Sequence, residues 1–288
     1  MITSNNLKDY ILLDAGDKQK LESWKGIILQ RPDPMALWPK TKPELWQKAD
    51  AYYTRSNKGG GHWNYKHELP ESWHINYKDL TFKVSPTNFK HTGLFPEQCA
   101  NWDLIYDLIN KNKDVKILNL FAYTGAASMV ASKAGASEVV HLDASKGIND
   151  WAKENMKLSH LENNTIRFIV DDALKFTSRE IRRNRKYDGI IMDPPSYGRG
   201  PDNELFKFED KINPLIINCL QLLSDNPLFF IINTYTTGYS PMVMYNLLKK
   251  HLEDKGLQGK IEADEIGIKV DDSDYILPCG QTTRWYKQ

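Results

Sequence analysis

Residues 116–143 read KILNLFAYTGAASMVASKAGASEVVHLD, and the fold follows from how this stretch is parsed. Residues 116–121 form an apolar run interrupted by Asn119, the pattern of a strand buried on both faces. A turn follows at 122–125. Residues 126–133 are small and helix-compatible and stop before Gly135, a C-cap residue. Residues 138–142 form a second short apolar run, with Asp143 at its carboxyl end. The parse is strand, turn, helix, strand, with an acid on the second strand tip: half of a doubly wound α/β domain. Asp143 lies about 18 residues beyond the turn glycine, where such units place a ribose-binding carboxylate.

The turn limits what can bind. A pyrophosphate needs a glycine-rich turn whose N–H groups close on it. Here one glycine, Gly125, sits among Phe121, Tyr123 and Thr124. This suits a nucleoside without a pyrophosphate, such as S-adenosylmethionine, with Gly125 admitting its amino-acid part and Asp143, flanked by Ala144 and Ser145, taking the ribose hydroxyls. An ordinary crossover with a charged strand end fits the same residues.

With 288 residues there is room for an α/β domain and a smaller one. The net charge of +1 excludes a global field drawing the chain to nucleic acid or membrane. Cys99, Cys219 and Cys279 are three and far apart. That argues against a disulfide framework or a metal site and for a reducing cytosol, hence a cytoplasmic protein. No leader, membrane-length apolar run or repeat is read. Residues 1–88 read as a small β-rich domain and 89–288 as the α/β domain.

In the first part, 10–14, 26–30 and the two runs WHINY and LTFKV across 73–84 read as strands, the last two as a hairpin around Lys78 and Asp79. Trp24, Trp38, Trp46, Trp63 and Trp73 lie here. Residues 55–67, RSNKGGGHWNYKH, are basic, aromatic and glycine-rich. They read either as a mobile loop contacting nucleic acid or as a solvated tether, with the tryptophans as core. Residues 89–102 join the parts and read as a linker or a lid, with a helix from 96 to about 110.

Beyond Asp143 the alternation continues: a helix at 148–158, a strand at 165–170, then Asp171, Asp172 and Ala173. A carboxylate there can accept from an adenine amino group, or Asp172 can cap the next helix. Residues 178–186, SREIRRNRK, place five cations in nine positions, a solvated helix end or a phosphate contact. Residues 187–200, YDGIIMDPPSYGRG, end a strand in Asp193, Pro194 and Pro195. The prolines hold the exit extended, so the tip offers a fixed carboxylate and bare carbonyls to an amino group. Tyr197 supplies a ring for stacking. A helix at 210–223, a strand at 227–233, a helix at 240–253 and strands at 260–270 and from 275 onward complete the pattern.

Together KHTGLFPEQ (90–98), LNLFAYTGAAS (118–128), DPPSYGRG (193–200) and LPCGQTTRW (277–285) resemble the class I S-adenosylmethionine-dependent methyltransferases grouped with bacterial 23S ribosomal RNA large-subunit methyltransferases. The resemblance implies a doubly wound, Rossmann-like seven-stranded sheet with an antiparallel final strand. It implies a cofactor lid containing Thr92, Gly93, Leu94, Phe95 and Gln98. Members that make 5-methylcytosine carry a cysteine after the fifth strand; here that place reads NTYTTGYS (233–240). The expected reaction is therefore methyl transfer to a nitrogen of an RNA base, with Asp193, Pro194, Pro195 and Tyr197 on the acceptor side. The alternatives are a small-molecule or protein acceptor, or a non-catalytic cofactor- or RNA-binding factor.

Overall fold

The computed structural model describes residues 1–56, 60–87 and 90–287. The chain divides into two compact units. One joins Ile2–Ala100 to Ile266–Cys279; the other joins Met1, Asn101–Glu265 and Gly280–Gln288. The division expected from composition, after residue 88, thus differs from that of compactness, because a C-terminal excursion returns to the N-terminal unit. Isolated bridges pair Ile2 with Ile266 and Leu12 with Val270.

In the N-terminal unit, β1 (Tyr10–Gly16), β2 (Gln19–Trp24), β3 (Ile27–Pro32), β4 (Ala51–Arg55) and β5 (Gly61–Tyr65) form one sheet in chain order. A short 3-10 helix, Pro43–Lys48, lets β4 run parallel to β3. The hairpin of β6 (Trp73–Tyr77) and β7 (Leu80–Val84) forms as expected. Lys78 adopts φ 49° at its turn, the left-handed backbone glycine usually supplies. Trp24 and Trp46 are buried core, and the indoles of Trp63 and Trp73 donate to the carbonyls of Thr87 and Trp24.

Residues 55–67 are not one long loop. Arg55 pairs with Gly61 at the end of a β4–β5 hairpin, and Tyr53 packs edge-on against Trp63. Cross-strand pairing overrides the glycine-rich composition. Of that stretch residues 57–59 lie outside the described residues, as do 88 and 89 at the expected boundary and linker start.

The larger unit begins with α1 (Cys99–Asn110), whose first two residues belong to the other unit. There follow β8 (Lys116–Leu120), α2 (Ala126–Lys133), β9 (Glu138–Asp143), α3 (Lys146–Leu158), β10 (Ile166–Val170), α4 (Ala173–Arg182) and β11 (Gly189–Met192). The chain continues through β12 (Tyr197–Arg199), β13 (Leu205–Lys207), α5 (Phe208–Leu222), β14 (Phe229–Thr234), α6 (Pro241–Asp254), β15 (Lys260–Lys269) and β16 (Ile276–Tyr286). Seven strands form one sheet in the order β10-β9-β8-β11-β14-β16-β15. β8 to β11 and β14 pair in parallel, and β16 runs antiparallel to β14. The last strand therefore inserts between β14 and β15. The strand order reverses beside β8, the crevice where such sheets bind ligands outside the carboxyl ends of their strands. The hairpin β12–β13 was not expected; it occupies what reads as the glycine-proline exit from the site.

Candidate active site

β8 ends at Leu120, and the next five residues turn sharply. Phe121, Tyr123 and Gly125 have φ of 55°, 52° and 90°. Left-handed backbone at a non-glycine residue costs about 1–3 kcal/mol and persists only where the surroundings dictate it. Ala122 N donates to Leu142 O at 2.9 Å and Gly125 N to Ala122 O at 3.0 Å. Tyr123 N donates to Asp143 Oδ2 at 3.0 Å, and the buried Asn155 amide donates to Thr124 O at 2.9 Å. The backbone N–H groups of Ala122, Tyr123 and Gly125 are thus taken by the turn and the end of β9 and are not offered to a phosphate, as the turn's composition suggests. The position of Gly125 is also tight: a Cβ there would lie 3.0 Å from Met129 Cε and 3.2 Å from Ala152 Cβ.

Asp143 closes β9, half-buried beside the turn. Its Oδ1 accepts from Ser145 N at 2.9 Å and its Oδ2 from Tyr123 N. Burial raises its pKa, opposed by those two N–H groups. Each oxygen retains a lone pair for a further donor such as a ribose hydroxyl. Asn149 donates to the carbonyls of Asp143 and Ser145, both at 3.1 Å, and Ser145 caps α3 from its Oγ.

At the third strand tip the two aspartates divide their work. Asp172 Oδ1 caps α4 by accepting from Lys175 N at 2.9 Å, while Asp171 pairs with Arg179. An adenine role for Asp172 would therefore fall to its other oxygen. Ala173 is buried as the first residue of α4.

On the acceptor side, Asp193 N donates to Leu120 O at 3.3 Å, which sets the tip of β11 against the end of β8. Asp193 is half-buried and Pro194 buried. Ser196 Oγ accepts from Thr236 Oγ1 at 2.9 Å, joining this loop to the one after β14. In the β12–β13 hairpin, Phe206 turns inward against Phe121, ring centroids 5.1 Å apart. Tyr197 lies on the opposite, outward face, 59% exposed. Phe121, Tyr123, Thr124, Gly125, Asp143, Ala144, Ser145, Asp171, Asp172, Asp193, Pro194 and Pro195 thus lie at the carboxyl ends of the parallel strands of one sheet. Thr92, Gly93, Leu94, Phe95 and Gln98 belong to the N-terminal unit, where Thr92, Leu94 and Gln98 are buried and a 3-10 helix covers Pro96–Gln98.

Of the cationic run 178–186, Arg179 pairs with Asp171 at this edge, and the later cations lie further along the chain. Arg185 pairs with Glu138 at 2.6 Å, at the amino end of β9, and Arg183 with Glu180 at 3.2 Å. Lys186 donates to Gln221 O. α4 starts at the carboxyl edge and carries its last turn towards the other end of the sheet, where Arg185 meets Glu138.

Sequence reasoning missed the polar side chains around the turn and the tip of β9: Asn149, Asn155, Ser128 and His141. Asn119 was visible as a polar break in an apolar run, but its partners were not. Also unforeseen is the buried cluster in which Asn101 donates to Asn233 Oδ1 at 2.9 Å and accepts from Arg284 Nε at 2.7 Å.

The family model for S-adenosylmethionine-dependent methyltransferases matches residues 53–216. The chain is similar to a solved SAM-dependent methyltransferase from Agrobacterium tumefaciens, 34% identical with TM-score 0.94, over 100% of this chain and 93% of that one. It is also similar to ribosomal RNA large subunit methyltransferase K/L of Syntrophotalea carbinolica, 31% identical over 150 residues. That match covers 52% of this chain and 20% of the relative, so the chain spans about a fifth of the relative's length. The protein of that name from Pseudoalteromonas atlantica is 39% identical over 116 residues, 40% of this chain and 16% of the relative. A Streptococcus mutans structure, 20% identical with TM-score 0.72 over 98% of this chain and 76% of that one, shares the fold.

Proposed function

This chain belongs to the S-adenosylmethionine-dependent methyltransferase family, and from that membership we propose that it methylates a nitrogen of an RNA base, with ribosomal RNA as the substrate. The observation that carries the reading is the carboxyl edge of the sheet: a strained, internally bonded turn and Asp143 on one side of β8, and Asp193-Pro194-Pro195 on the other. The turn and Asp143 fit a nucleoside cofactor lacking a pyrophosphate. Phe121, Tyr123, Thr124 and Gly125 would hold its amino-acid part, Asp143 with Ala144 and Ser145 its ribose, and Asp171 to Ala173 its adenine. For Thr92, Gly93, Leu94, Phe95 and Gln98 a lid role is implied by the resemblance alone. The cofactor supplies an electrophilic methyl group on a sulfonium.

The protein's own part is positioning. The Asp193 carboxylate and the Pro194 carbonyl are acceptors, so they can take the hydrogens of an amino group and hold its lone pair toward the methyl. The prolines keep that carboxylate extended. Tyr197, exposed on its hairpin, offers a face to a base already unpaired or flipped out. The loop after β14 (235–240) contains no cysteine, which supports nitrogen over a carbon acceptor that needs a thiolate adduct. Burial raises the thiol pKa values of both Cys219 and Cys279, a further argument against a thiolate.

Mass spectrometry of modified nucleosides in ribosomal RNA from cells with and without this protein tests the proposal. One N-methylated base should be lost with it and return with the wild type but not with Asp193→Ala. Unchanged ribosomal RNA would move the assignment to a small-molecule or protein acceptor.

A further inference from the structure

Three polar side chains sit inside the apolar wall of the β8–α2–β9 crossover. Asn119 and His141 are direct partners in the β8–β9 register and so share a sheet face. Ser128, on the first turn of α2, meets both: Asn119 Nδ2 donates to its Oγ at 2.9 Å, and its Oγ lies 2.9 Å from His141 Nδ1. Ser128 and His141 are 0% exposed and Asn119 2%. The Ser128 hydroxyl can accept from Asn119 and also share one hydrogen with Nδ1, the ring tautomer setting which of the two donates. Burial pushes the His141 pKa down to about 3, against a small opposing pull from the Tyr123 backbone.

Stability alone does not account for this arrangement. A buried polar group must be hydrogen-bonded to be tolerated, and matched apolar residues of the same shape serve a core as well or better. What the relay adds is direction, because apolar packing tolerates small slides of a helix over a sheet that hydrogen bonds do not. Each member stands next to a proposed cofactor contact. Asn119 is two residues before Phe121, Ser128 three after Gly125, and His141 two before Asp143. The ring also faces the turn's glycine, with His141 Cε1 3.3 Å from where a Gly125 Cβ would be.

We propose that Asn119, Ser128 and His141 are positioning residues for cofactor binding, a buried relay that sets α2 on the sheet and thereby holds the backbone at 121–125 in its bound form. The inference rests on the reading that this turn holds the cofactor. The test is titration calorimetry with S-adenosylmethionine and S-adenosylhomocysteine on the full chain. Ser128→Ala removes one oxygen and should weaken both ligands about tenfold. Ser128→Thr, which keeps the hydroxyl, should restore most of the loss. Nitrogen NMR of the His141 ring should show a neutral imidazole in the wild type and a changed Nδ1 signal in Ser128→Ala. Leu248→Ala, a buried cavity variant on α6, controls for general loosening and should leave ligand affinity within twofold. Equal weakening in Leu248→Ala and Ser128→Ala, failure of threonine to rescue, or an Nδ1 signal that Ser128→Ala leaves unchanged would overturn the relay. Asp143→Ala separates the underlying reading. If it leaves affinity intact, the turn is not the cofactor site. If it weakens binding while Ser128→Ala does not, the relay alone is wrong.

Discussion

The N-terminal sheet and the β8–α2–β9 crossover bury polar groups in opposite ways. In the N-terminal sheet the buried groups are charged. Arg31 Nε and Nη2 donate to the two oxygens of Glu22 at 2.6 and 2.8 Å, and Tyr10 donates to Glu22 at 2.7 Å. Lys20 lies between Glu22 and Asp33. Burial pushes the Glu22 carboxyl up, but Arg31 and Lys20 pull harder and hold it at about 2. Arg31 uses a further nitrogen on the carbonyl of Lys90 at 2.8 Å. In the crossover of the larger unit the buried groups are neutral: an amide, a hydroxyl and an uncharged imidazole. A buried ion pair is costly to desolvate and costlier to break. A neutral chain of hydrogen bonds costs little to desolvate and still fixes geometry. The molecule therefore places charge where a sheet must be held in register, and neutral polarity where a turn must be held in shape.

Acid should separate the two. The His141 pKa lies below its ordinary value of 6.5, so its contribution is full above pH 6.5 and is lost as pH falls from there towards 3. Over that range it amounts to about 5 kcal/mol. Glu22 is also depressed, from 4.5 to about 2, so its share is lost only as pH falls below 4.5. Hydrogen exchange across a pH series should show the β8–β9 amides losing protection before those of β2 and β3. Simultaneous loss would break the comparison.

Glu22→Ala leaves Arg31 buried without its partner and should destabilise the N-terminal unit by about 3–5 kcal/mol. Thermal and urea unfolding measure this. Glu22→Leu combined with Arg31→Met should recover much of the loss, because the uncompensated charge is gone.

A smaller, functional effect belongs to Asp143. Asp143→Ala removes a charge-assisted contact of about 1.5–3 kcal/mol, ten- to a hundredfold in cofactor affinity. Glu22→Leu with Arg31→Met should leave the protection of the β8–β9 amides unchanged, which hydrogen exchange on the double variant checks.

The smallest effect is expected where sequence composition is most suggestive. Neutralising Arg182, Arg183 and Arg185 together should leave the salt dependence of RNA binding unchanged, since Arg183 and Arg185 are paired with Glu180 and Glu138. A slope flattened by about 0.7 per residue would show that these cations do reach phosphate.

Much of the larger unit was legible because each signal was local. The apolar period of residues 116–121, the turn glycine, and proline after Asp193 act through neighbours within a few residues. The β12–β13 hairpin was not legible: residues 197–207 contain two glycines and a proline, and only the seat that Phe206 finds on Phe121 shows which way that segment folds. The β4–β5 hairpin was hidden for a similar reason, its pairing of Tyr53 with Trp63 outweighing the glycines between them.

The α/β class, the turn at residues 121–125, the acid at the end of β9 and the Asp-Pro-Pro exit of β11 follow from the order of residues alone, because strand period, backbone freedom and strand-end chemistry are written in adjacent residues. That β16 inserts beside β14, that residues 266–279 return to the N-terminal unit, that Arg185 pairs with Glu138 at the amino end of β9, and that Asn119 meets Ser128 and His141 emerge only in the folded chain. Those outcomes depend on which surfaces meet across many residues of chain, and a hydrogen bond or ion pair is specified by both partners at once.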